Sequence, residues 1–419
     1  MSTVIYWFRN DLRLEDNPAF KEACLAATHL LPIYIHSDGS DDLTSWGFPR
    51  VASHSRKFLQ QSLHELRHQL IAQGSYLLEL NGKPADVFEW LKEQLPFEYI
   101  YCEQIQAPEE ISQVDAIKGL GFNIRQFWQS SMIDPKDLPF DLQEMPDVFT
   151  KFRQEVERNG LSYSEPIVSP KHIPPLPLVN IETKAREGSS ATQVNPLFNG
   201  GELSALAHIS QYFERRLPDT YKQTRNQLIG MDYSSKFSPW LAFGCCSART
   251  IAQKLKNYES IYGANDGTYW LWFELLWRDY FRFLHFKYGK KLYYSGGLSG
   301  KASNTFDEKK FQQWSTGCTG NDFIDAGMLE LQQTGFLSNR MRQVVASYWI
   351  YDMNGDWRAG AAWFESQLVD YDVYSNQGNW LYIAGRGTDP RGGRPFNVKK
   401  QAQDHDSDGA YRAKWLNTP

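Results

Sequence analysis

The chain has 419 residues, of which 42% are hydrophobic and 22% charged, and its net charge at pH 7 is −5. These values are those of a globular protein long enough for two cores, and they exclude a disordered chain or one that its overall charge draws to polyanions. Five cysteines without a CxxC pair favour reduced thiols over disulfides or a zinc site. Because we find no targeting segment and no membrane-spanning apolar run, we expect a soluble, cytoplasmic protein. We also expect it to be a monomer and to hold no metal.

The first part of the chain alternates short apolar runs with amphipathic helical patterns such as SRKFLQQSLHELRHQL from Ser55. The apolar runs are VIYWF from Val4, LLPIYI from Leu30, YLLEL from Tyr76, YIYC from Tyr99 and NIRQFW from Asn123. This alternation predicts a doubly wound, parallel, five-stranded sheet of the Rossmann-like kind over residues 1–130. No GxGxxG follows the first run, which argues against a dinucleotide in this domain.

The rest of the chain divides into a connecting segment and a helical part. Residues 131–200 are polar and Pro-rich, with SPKHIPPLPL among them, and predict an inter-domain linker. From residue 201 to 419 the hydrophobic period is helical. The stretch TYWLWFELLWRDYFRFLHF from Thr268 is apolar around most of its circumference, which is typical of a buried helix in a large bundle. We therefore predict an α/β domain followed by an all-α domain.

Two segments of the helical part carry groups suited to a ligand. Hydroxyls and a lysine begin SSKFSPWLAFG at Ser234, just before an apolar helical run, where free backbone N–H groups bind phosphate. The alternative is a simple helix cap. Glu274, Trp277 and Arg278 fall at i, i+3 and i+4 and share one helix face. They either recognise a heterocycle or form an ion pair beside a core tryptophan.

A third group of polar residues lies in two segments that otherwise look buried. Asn339, Arg340 and Arg342 occur in TGFLSNRMRQVVAS, and Asp370 and Asp372 in VDYDVYSNQGNWLYIAG. A buried carboxylate costs several kcal/mol unless it is paired, and partly buried arginines need acceptors. Either the aspartates occupy an exposed turn, or they and the arginines form the two sides of a charged pocket.

Taken together and in order, five segments resemble the photolyase/cryptochrome family. They are YWFRNDLRLEDNPAF, TYKQTRNQLIGMDYSSKFSPWLAFGC, YWLWFELLWRDYFRF, TGFLSNRMRQ and DWRAGAAWFESQLVDYDVYSNQGNW. RNDLRL, FELLWRDYFRF and the SN-x-GNW form of the last motif are most similar to DASH-type cryptochromes. The resemblance implies an N-terminal α/β domain and a helical domain that encloses a bent FAD.

The resemblance also implies which residues contact the cofactor. Its pyrophosphate would lie against Tyr221, Ser234, Ser235, Lys236, Phe237 and Ser238. Its isoalloxazine would meet Arg278, Asn339, Arg342, Asp370 and Asp372, with Asn376 opposite N5. On this interpretation the aspartates are cofactor contacts, and Asp370 is the partner of Arg342.

The activity implied is the light-driven cleavage of cyclobutane pyrimidine dimers, a carbon–carbon lyase reaction in which reduced FAD donates an electron. The dimer leaves the base stack and would be held by Glu274 and Trp277. Gln343 and Tyr382 stand where duplex-active members usually carry methionine and tryptophan. Because stacking is worth about 1–3 kcal/mol per base, we expect repair mainly in single-stranded or looped DNA.

Two further features depart from the family pattern. Trp380 and Trp357 match the inner two of three electron-relay tryptophans, but Asn304 stands at the outer position. This predicts slow photoreduction, or exit through another surface aromatic such as Trp314 or a tyrosine. Ile105 occupies the place of the folate-binding glutamate of DASH members, with Glu103 and Glu109 on either side. This departure argues against a folate antenna and leaves another antenna, or none, as the alternatives.

Two other functions compete with repair. A signalling photoreceptor would share the fold and FAD, but the chain ends about 40 residues after Trp380, without the long extension that such receptors often carry. The third alternative is a nucleic-acid-binding flavoprotein without repair activity. Its phosphate contacts would be a rim of cations formed by Arg225, Arg340, Arg386, Arg391, Arg394, Lys399 and Lys400. The alternative for each of them taken singly is a solvated surface charge.

Overall fold

The computed structural model describes residues 2–37, 39, 42–178, 197–302 and 304–417. The strands are β1 Thr3–Phe8, β2 His29–His36, β3 Leu78–Asn81, β4 Tyr99–Glu103 and β5 Ile124–Phe127. The helices are α1 Pro18–Ala26, α2 Ser53–Ala72, α3 Pro84–Gln94, α4 Pro108–Gly119, α5 Phe149–Arg158, α6 Glu202–Glu214, α7 Tyr221–Thr224, α8 Ser238–Ala242, α9 Ala248–Tyr262, α10 Asp266–Tyr288, α11 Glu308–Ser315, α12 Asp322–Thr334, α13 Asn339–Ser347, α14 Trp357–Gln367, α15 Val373–Ile383, α16 Val398–His405 and α17 Ala410–Leu416.

The five strands form one parallel sheet in the order β3-β2-β1-β4-β5, which confirms the fold predicted for the first part of the chain. The central strand β1 is buried from Val4 to Phe8 because helices cover both faces of the sheet. Its alternate residues therefore enter two separate apolar clusters, with Tyr6 in one and Trp7 in the other. Each strand run predicted from the sequence overlaps its strand.

The segment predicted as a linker is partly ordered. Helix α5 lies within it, and short 3₁₀ turns at Pro135–Asp137 and Leu142–Glu144 precede that helix. Phe149 and Phe152 of α5 pack their rings against Tyr280 of α10, at centroid distances of 5.4 Å in each case. Residues 179–196 of the predicted linker lie outside the described residues. Domain boundaries at residues 130 and 200 remain a proposal.

Helix α10 is the long central helix of the helical part, and its burial confirms the prediction made from its apolar circumference. It begins with a capping box, in which Asn265 accepts from the backbone N–H of Thr268 and the Thr268 side chain accepts in return. It ends at Gly289. Within the described ranges, no helix is both long enough and apolar enough to cross a membrane.

Buried polar contacts fix the α/β part against the helical part. Arg249 of α9 pairs with Asp16 at 2.9 Å. Both carboxylate oxygens of Glu202 accept from the backbone N–H groups that follow β1, those of Leu14 and Glu15, each at 2.9 Å. Asp279 of α10 likewise accepts from two backbone N–H groups after β5. These contacts bury charged groups at the junction of the two parts.

Candidate cofactor cleft

A cleft of about 440 Å³ opens among α8, α10, α13 and α15, within the usual range for ligand pockets. A smaller cavity of about 70 Å³ adjoins it and reaches Trp380. The two share Asn339, Arg342, Gln343, Asp370, Ser375 and Asn379. Every predicted cofactor residue lines one or both: Tyr221, Ser234, Ser235, Lys236, Phe237, Ser238, Arg278, Asn339, Arg342, Asp370, Asp372 and Asn376.

One end of the cleft is formed by the Ser234–Ser238 run. Lys236 has a left-handed backbone (φ 56°) and is only 4% exposed. Its ammonium lies 3.5 Å from the ring centroid of Tyr233 and 4.4 Å from that of Phe336. Burial lowers the pKa of Lys236 to about 7. The helix α8 that follows has only five residues, so hydroxyls and the lysine are the main donors here.

Arg342 and Asp370, which also line the cleft, are paired as predicted. The Nη2 of Arg342 donates to both carboxylate oxygens of Asp370, at 3.0 and 2.8 Å, and its Nε donates to the carbonyl of Leu337. Asp370 is buried, so the guanidinium compensates the cost of its charge.

Asp372 has a partner that sequence reasoning missed. It caps α15 by accepting from the N–H of Ser375 at 2.8 Å, and it forms an ion pair with Arg282 at 2.5 Å. Burial opposes its charge, but Arg282 and Arg278 hold the pKa of Asp372 well below its usual range. Arg282 lies four residues after Arg278 on the same face of α10, and this spacing was the available signal. Asn376, one turn into α15, donates to the carbonyl of Ala361 at 3.0 Å.

Arg278 lines the cleft, but it is held by the protein itself. Its guanidinium donates to the carbonyls of Ser130 and Leu241. Burial, together with the nearby charge of Arg282, lowers the pKa of Arg278 to about 10. The side chain is therefore a partly buried donor that two backbone carbonyls hold at the cleft, rather than a solvated charge.

Glu274 lies at the mouth of the cleft and pairs with Arg225 rather than with Arg278. The Arg225 guanidinium in turn lies 4.4 Å from the ring centroid of Trp270. Burial raises the pKa of Glu274, and the charge of Arg225 opposes that rise. The sequence offered an ion pair of Glu274 with Arg278 as one alternative. Glu274 does form an ion pair with an arginine, but the partner is Arg225, which lies 49 residues away in sequence.

An aromatic wall stands beside this carboxylate. Trp277 stacks on Phe149 of α5 with a centroid distance of 3.6 Å and an interplanar angle of 13°, and it meets the edge of Tyr382 at 5.6 Å. Tyr382 accepts a hydrogen bond from Arg394, which also pairs with Asp389 at 2.6 Å. Phe149 was not predicted, because nothing in the sequence of α5 points to the cleft.

Gln343 completes the lining of the mouth. Its side-chain oxygen accepts from Arg340 at 3.3 Å, and Arg340 also donates to the side-chain oxygen of Asn226 at 3.2 Å. The Nε of Arg340 is buried without a partner. Asn339, which begins α13, lies at the junction of the two cavities.

The tryptophans behind the cleft contradict one expectation. Trp314 is not a surface aromatic but fully buried, at 0% exposure, because its ring stacks on Trp349 at 5.4 Å and its Nε1 donates to the carbonyl of Val345. Its edge contacts Trp380, with centroids 6.3 Å apart. Trp357, also buried, donates its Nε1 to the carbonyl of Ser295. It lines neither of the two cavities described above.

Asn304, at the predicted outer position, has a structural role. Its amide donates to the carbonyls of Ile350 and Gly355, at 3.3 and 3.1 Å. Those carbonyls flank the loop that begins α14, so the asparagine ties this loop to the preceding segment. An indole at this position would lose both hydrogen bonds.

The residues around the predicted antenna position are mostly engaged. Ile105 is buried, and Glu109 pairs with Arg50 at 2.6 Å. Glu103 is 2% exposed, and burial and the charge of Asp11 raise its pKa to about 8. One of its carboxylate oxygens is buried without a partner.

The predicted rim of cations needs one correction. Arg386 is 8% exposed and donates to the carbonyls of Lys301 and Ala302, so it is a buried strut and not a rim charge. Arg225 and Arg394 do line the cleft. Arg391, Lys399 and Lys400 are exposed.

The donor set fits a dinucleotide with an aromatic ring at one end. Hydroxyls and Lys236 suit a pyrophosphate, while Asn339, Arg342 and Asn376 offer amide and guanidinium donors to a heterocycle. Among the described residues, no three His, Cys, Asp or Glu side chains are arranged to hold a metal ion.

Comparisons with known proteins agree with this geometry. The family model for DNA photolyase matches residues 4–175, and the model for the FAD binding domain of DNA photolyase matches residues 270–418. Cryptochrome DASH of Synechocystis sp. is 42% identical and aligns over 99% of this chain and 87% of its own. A crystal structure of a Synechocystis sp. cryptochrome matches with a TM-score of 0.94, at 40% identity, over 99% and 89% of the two chains. A bacterial class III photolyase from Agrobacterium tumefaciens matches with a TM-score of 0.85, at 27% identity, over 99% and 86%.

A parallel α/β domain joined to a helical FAD-binding domain defines the class, and the chain belongs to the photolyase/cryptochrome family of flavoproteins. Within that family, its relatives at about 40% identity over the whole chain are DASH cryptochromes.

Proposed function

We propose that the protein repairs cyclobutane pyrimidine dimers under blue light, with a preference for single-stranded or looped DNA. The observation that carries the proposal is the mouth of the cleft, where a carboxylate, Glu274, and an aromatic wall of Trp277 and Tyr382 lie beside the flavin-binding residues. Bound FAD, reduced and photoexcited, supplies the electron that splits the dimer and takes it back afterwards.

The side chains of the mouth have distinct roles in this proposal. Trp277, fixed by its stack on Phe149, offers a face to a flipped base. Glu274, whose ionised form the charge of Arg225 favours, accepts hydrogen bonds from the dimer. Asn376 lies next to the flavin, and Trp380 and Trp357 pass electrons to it. Arg225 and Arg340 attract the DNA backbone.

The preference for single strands follows from the residues at positions 343 and 382. Gln343 ends in a polar amide and offers less apolar surface than a methionine, and the Tyr382 hydroxyl accepts a hydrogen bond from Arg394. A tyrosine also provides a smaller stacking face than a tryptophan. Because stacking contributes about 1–3 kcal/mol per base, a reduced face can fail to offset the few kcal/mol of unpairing in a duplex.

The test is repair of one dimer-containing oligonucleotide, single-stranded and in duplex, by the reduced holoprotein under blue light. We expect the single strand to be repaired at least ten-fold faster (about 1.4 kcal/mol), and Gln343→Met with Tyr382→Trp to narrow the difference. Glu274→Gln should slow both substrates without loss of flavin. Equal rates on the two substrates would refute the preference. No repair by a fully flavin-loaded protein would favour the signalling alternative.

Binding is tested separately, by titrating a labelled single strand at several salt concentrations. We expect affinity to fall steeply with salt, and Arg225→Ala and Arg340→Ala each to reduce the slope of log affinity against log salt by about 0.7. Glu214→Gln, on the exposed face of α6, serves as control. Light scattering on the same sample tests the proposed monomer. Fractionation of cells would test the proposed cytoplasmic location.

A further inference from the structure

The face of α10 that forms the mouth of the cleft continues one turn beyond it. Trp270 precedes Glu274 by four residues and Trp277 by seven, so all three share one side of the helix. Phe273, on the same side, lines the cleft, whereas Trp270 is not among the lining residues. All four side chains are only partly buried. An aromatic stripe therefore runs from the mouth of the cleft towards the start of α10.

Ring contacts make this stripe continuous. Trp270 meets Phe273 with centroids 4.5 Å apart, and Phe273 meets the edge of Phe149 at 5.2 Å. Phe149 is also the ring on which Trp277 stacks. The packing that supports the aromatic wall of the mouth thus also supports Trp270.

A cation lies over the ring of Trp270. The guanidinium of Arg225 lies 4.4 Å from the ring centroid and also pairs with Glu274. Asn226, the next residue, accepts a hydrogen bond from Arg340, so a second guanidinium lies close by. A partly exposed indole beside two arginines combines an apolar face with positive charge. Single-stranded nucleic acids are bound by this combination, because every base has a π face and every nucleotide a phosphate.

We propose that Trp270, supported by Arg225, is a stacking subsite for the unpaired base next to the dimer. The proposal rests on the proposed repair function and extends it to a neighbouring nucleotide. Trp270 lies one helical turn, about 6 Å, from Glu274, a step that one nucleotide of an extended strand covers. In a single strand, the base of that nucleotide can stack on the indole. In a duplex it is paired and stacked on its own neighbours, so the subsite adds to the preference for single strands.

The experiment measures binding of the reduced, flavin-loaded protein, in the dark, to single strands that carry one dimer. An intact strand is compared with two others, in which the nucleotide just before or just after the dimer is abasic. We expect one abasic strand, and only one, to bind the wild type about five-fold or more weakly, which is the lower end for stacking of one base. Trp270→Leu should weaken binding of the intact strand by the same factor and leave binding of that abasic strand unchanged.

Trp270→Phe keeps a smaller ring and should keep part of the difference between the intact and abasic strands. The matched control is Trp272→Leu, on another side of α10, where the indole donates to the carbonyl of Ser162. It should bind each strand as the wild type does, while flavin absorbance and thermal unfolding check the fold of every variant. In repair assays, Trp270→Leu should raise KM for the single strand without lowering kcat, and should leave the rate on the duplex unchanged.

Failure of the subsite and failure of the repair function give different results. If neither abasic strand binds the wild type more weakly than the intact strand, or if Trp270→Leu loses the same factor on intact and abasic strands, the subsite is refuted. If instead the wild type binds the strand equally with and without a dimer, and does not repair it under blue light, the repair function is wrong and the subsite falls with it.

Discussion

Asp372 illustrates how one residue lining the cleft makes several structural contacts at once. Its carboxylate caps α15 and forms an ion pair with Arg282. The charge of Arg278 also helps to lower the pKa of this carboxylate. Arg282 also lies 4.7 Å from the ring centroid of Tyr374, and its Nε is buried without a partner. Removing one member of such a buried set leaves another charge uncompensated.

We therefore expect Arg282→Met to lower the free energy of unfolding by about 3–5 kcal/mol near neutral pH. The depressed pKa of Asp372 gives stability that is fully present above its unfolded value, about 3.9, and is lost as pH falls through the folded value. The defect should therefore shrink in acid. Urea unfolding, followed by tryptophan fluorescence near neutral pH and in acid, measures this loss of stability. Arg215→Met, in an exposed pair with Asp232, is the control, and equal losses would contradict the account.

The contact between Trp380 and Trp314 bears on electron supply. We expect Trp380→Phe to abolish blue-light reduction while FAD stays bound. Because Trp314 touches Trp380, it offers the electron a second route beside Trp357. Trp314→Phe and Trp357→Phe should therefore each slow flavin reduction. The variant that carries both substitutions should be nearly as slow as Trp380→Phe. Bleaching of the oxidised-flavin absorbance in the presence of a thiol reductant measures the rate. Trp90→Phe, on α3, should not change the rate of flavin reduction. If Trp380→Phe is reduced as fast as the wild type, Trp380 is not the residue that passes electrons to the flavin.

At the scale of elements, glycines set the spacing of the helices around Trp380, which lines the smaller cavity. A Cβ at Gly360 of α14 would lie 2.2 Å from the ring of Trp380, and one at Gly378 of α15 would lie 2.1 Å from Phe281 of α10. Helix α15 is therefore packed closely against both neighbours, with Trp380 and Asn376 held in place by that contact. Any side chain at these glycines must displace a ring.

Gly360→Ala tests this spacing. We expect it to cost about 1–3 kcal/mol of stability through overpacking and to weaken FAD binding by displacing Trp380. Gly119→Ala, in α4, is the matched control because no atom lies within 4 Å of its added Cβ. The control should be neutral in FAD binding. Equal effects of the two substitutions on urea unfolding and FAD affinity would show that the close contact is unimportant.

For the whole molecule, buried carboxylates join the α/β part to the helical part. Burial raises the pKa of Glu202 to about 7 and that of Asp279 to about 6, although backbone N–H groups bond to each. A carboxyl group with a raised folded pKa binds its proton more tightly in the native state than in the unfolded state. Its contribution to stability is therefore greatest in mild acid and falls as pH rises through the folded pKa.

Glu202→Gln should remove part of that dependence. We expect the wild type to lose stability between about pH 5 and pH 7, and the variant to lose less over the same interval. Chemical unfolding at the two pH values gives the difference, with Glu214→Gln of the same helix as reference. Parallel curves for Glu202→Gln and the wild type would disprove a native-state shift at this position.

Much of the fold was accessible from local pattern. The five apolar runs became the five strands, and the apolar circumference of α10 became a buried helix, because burial on one face or all round leaves a periodic trace in the sequence. The pairing of Arg342 with Asp370 was also predicted, but from the resemblance, because the local pattern left an exposed turn as the alternative to a charged pocket. Helix α5 was missed, because its apolar positions were hidden in a segment rich in proline and polar residues.

By itself, the sequence determined the order of elements, the two-part architecture, the family and its FAD, because these depend on periodicity and on motifs short enough to read along the chain. The tertiary structure alone decided which charges meet: Arg225 with Glu274, Arg282 with Asp372 and Tyr411 with Glu330 lie 49, 90 and 81 residues apart. It also decided that Trp314 is buried and Arg386 is a strut. Such pairings join residues that are far apart along the chain and depend on how helices pack across the core, so the sequence around each residue does not identify its partner.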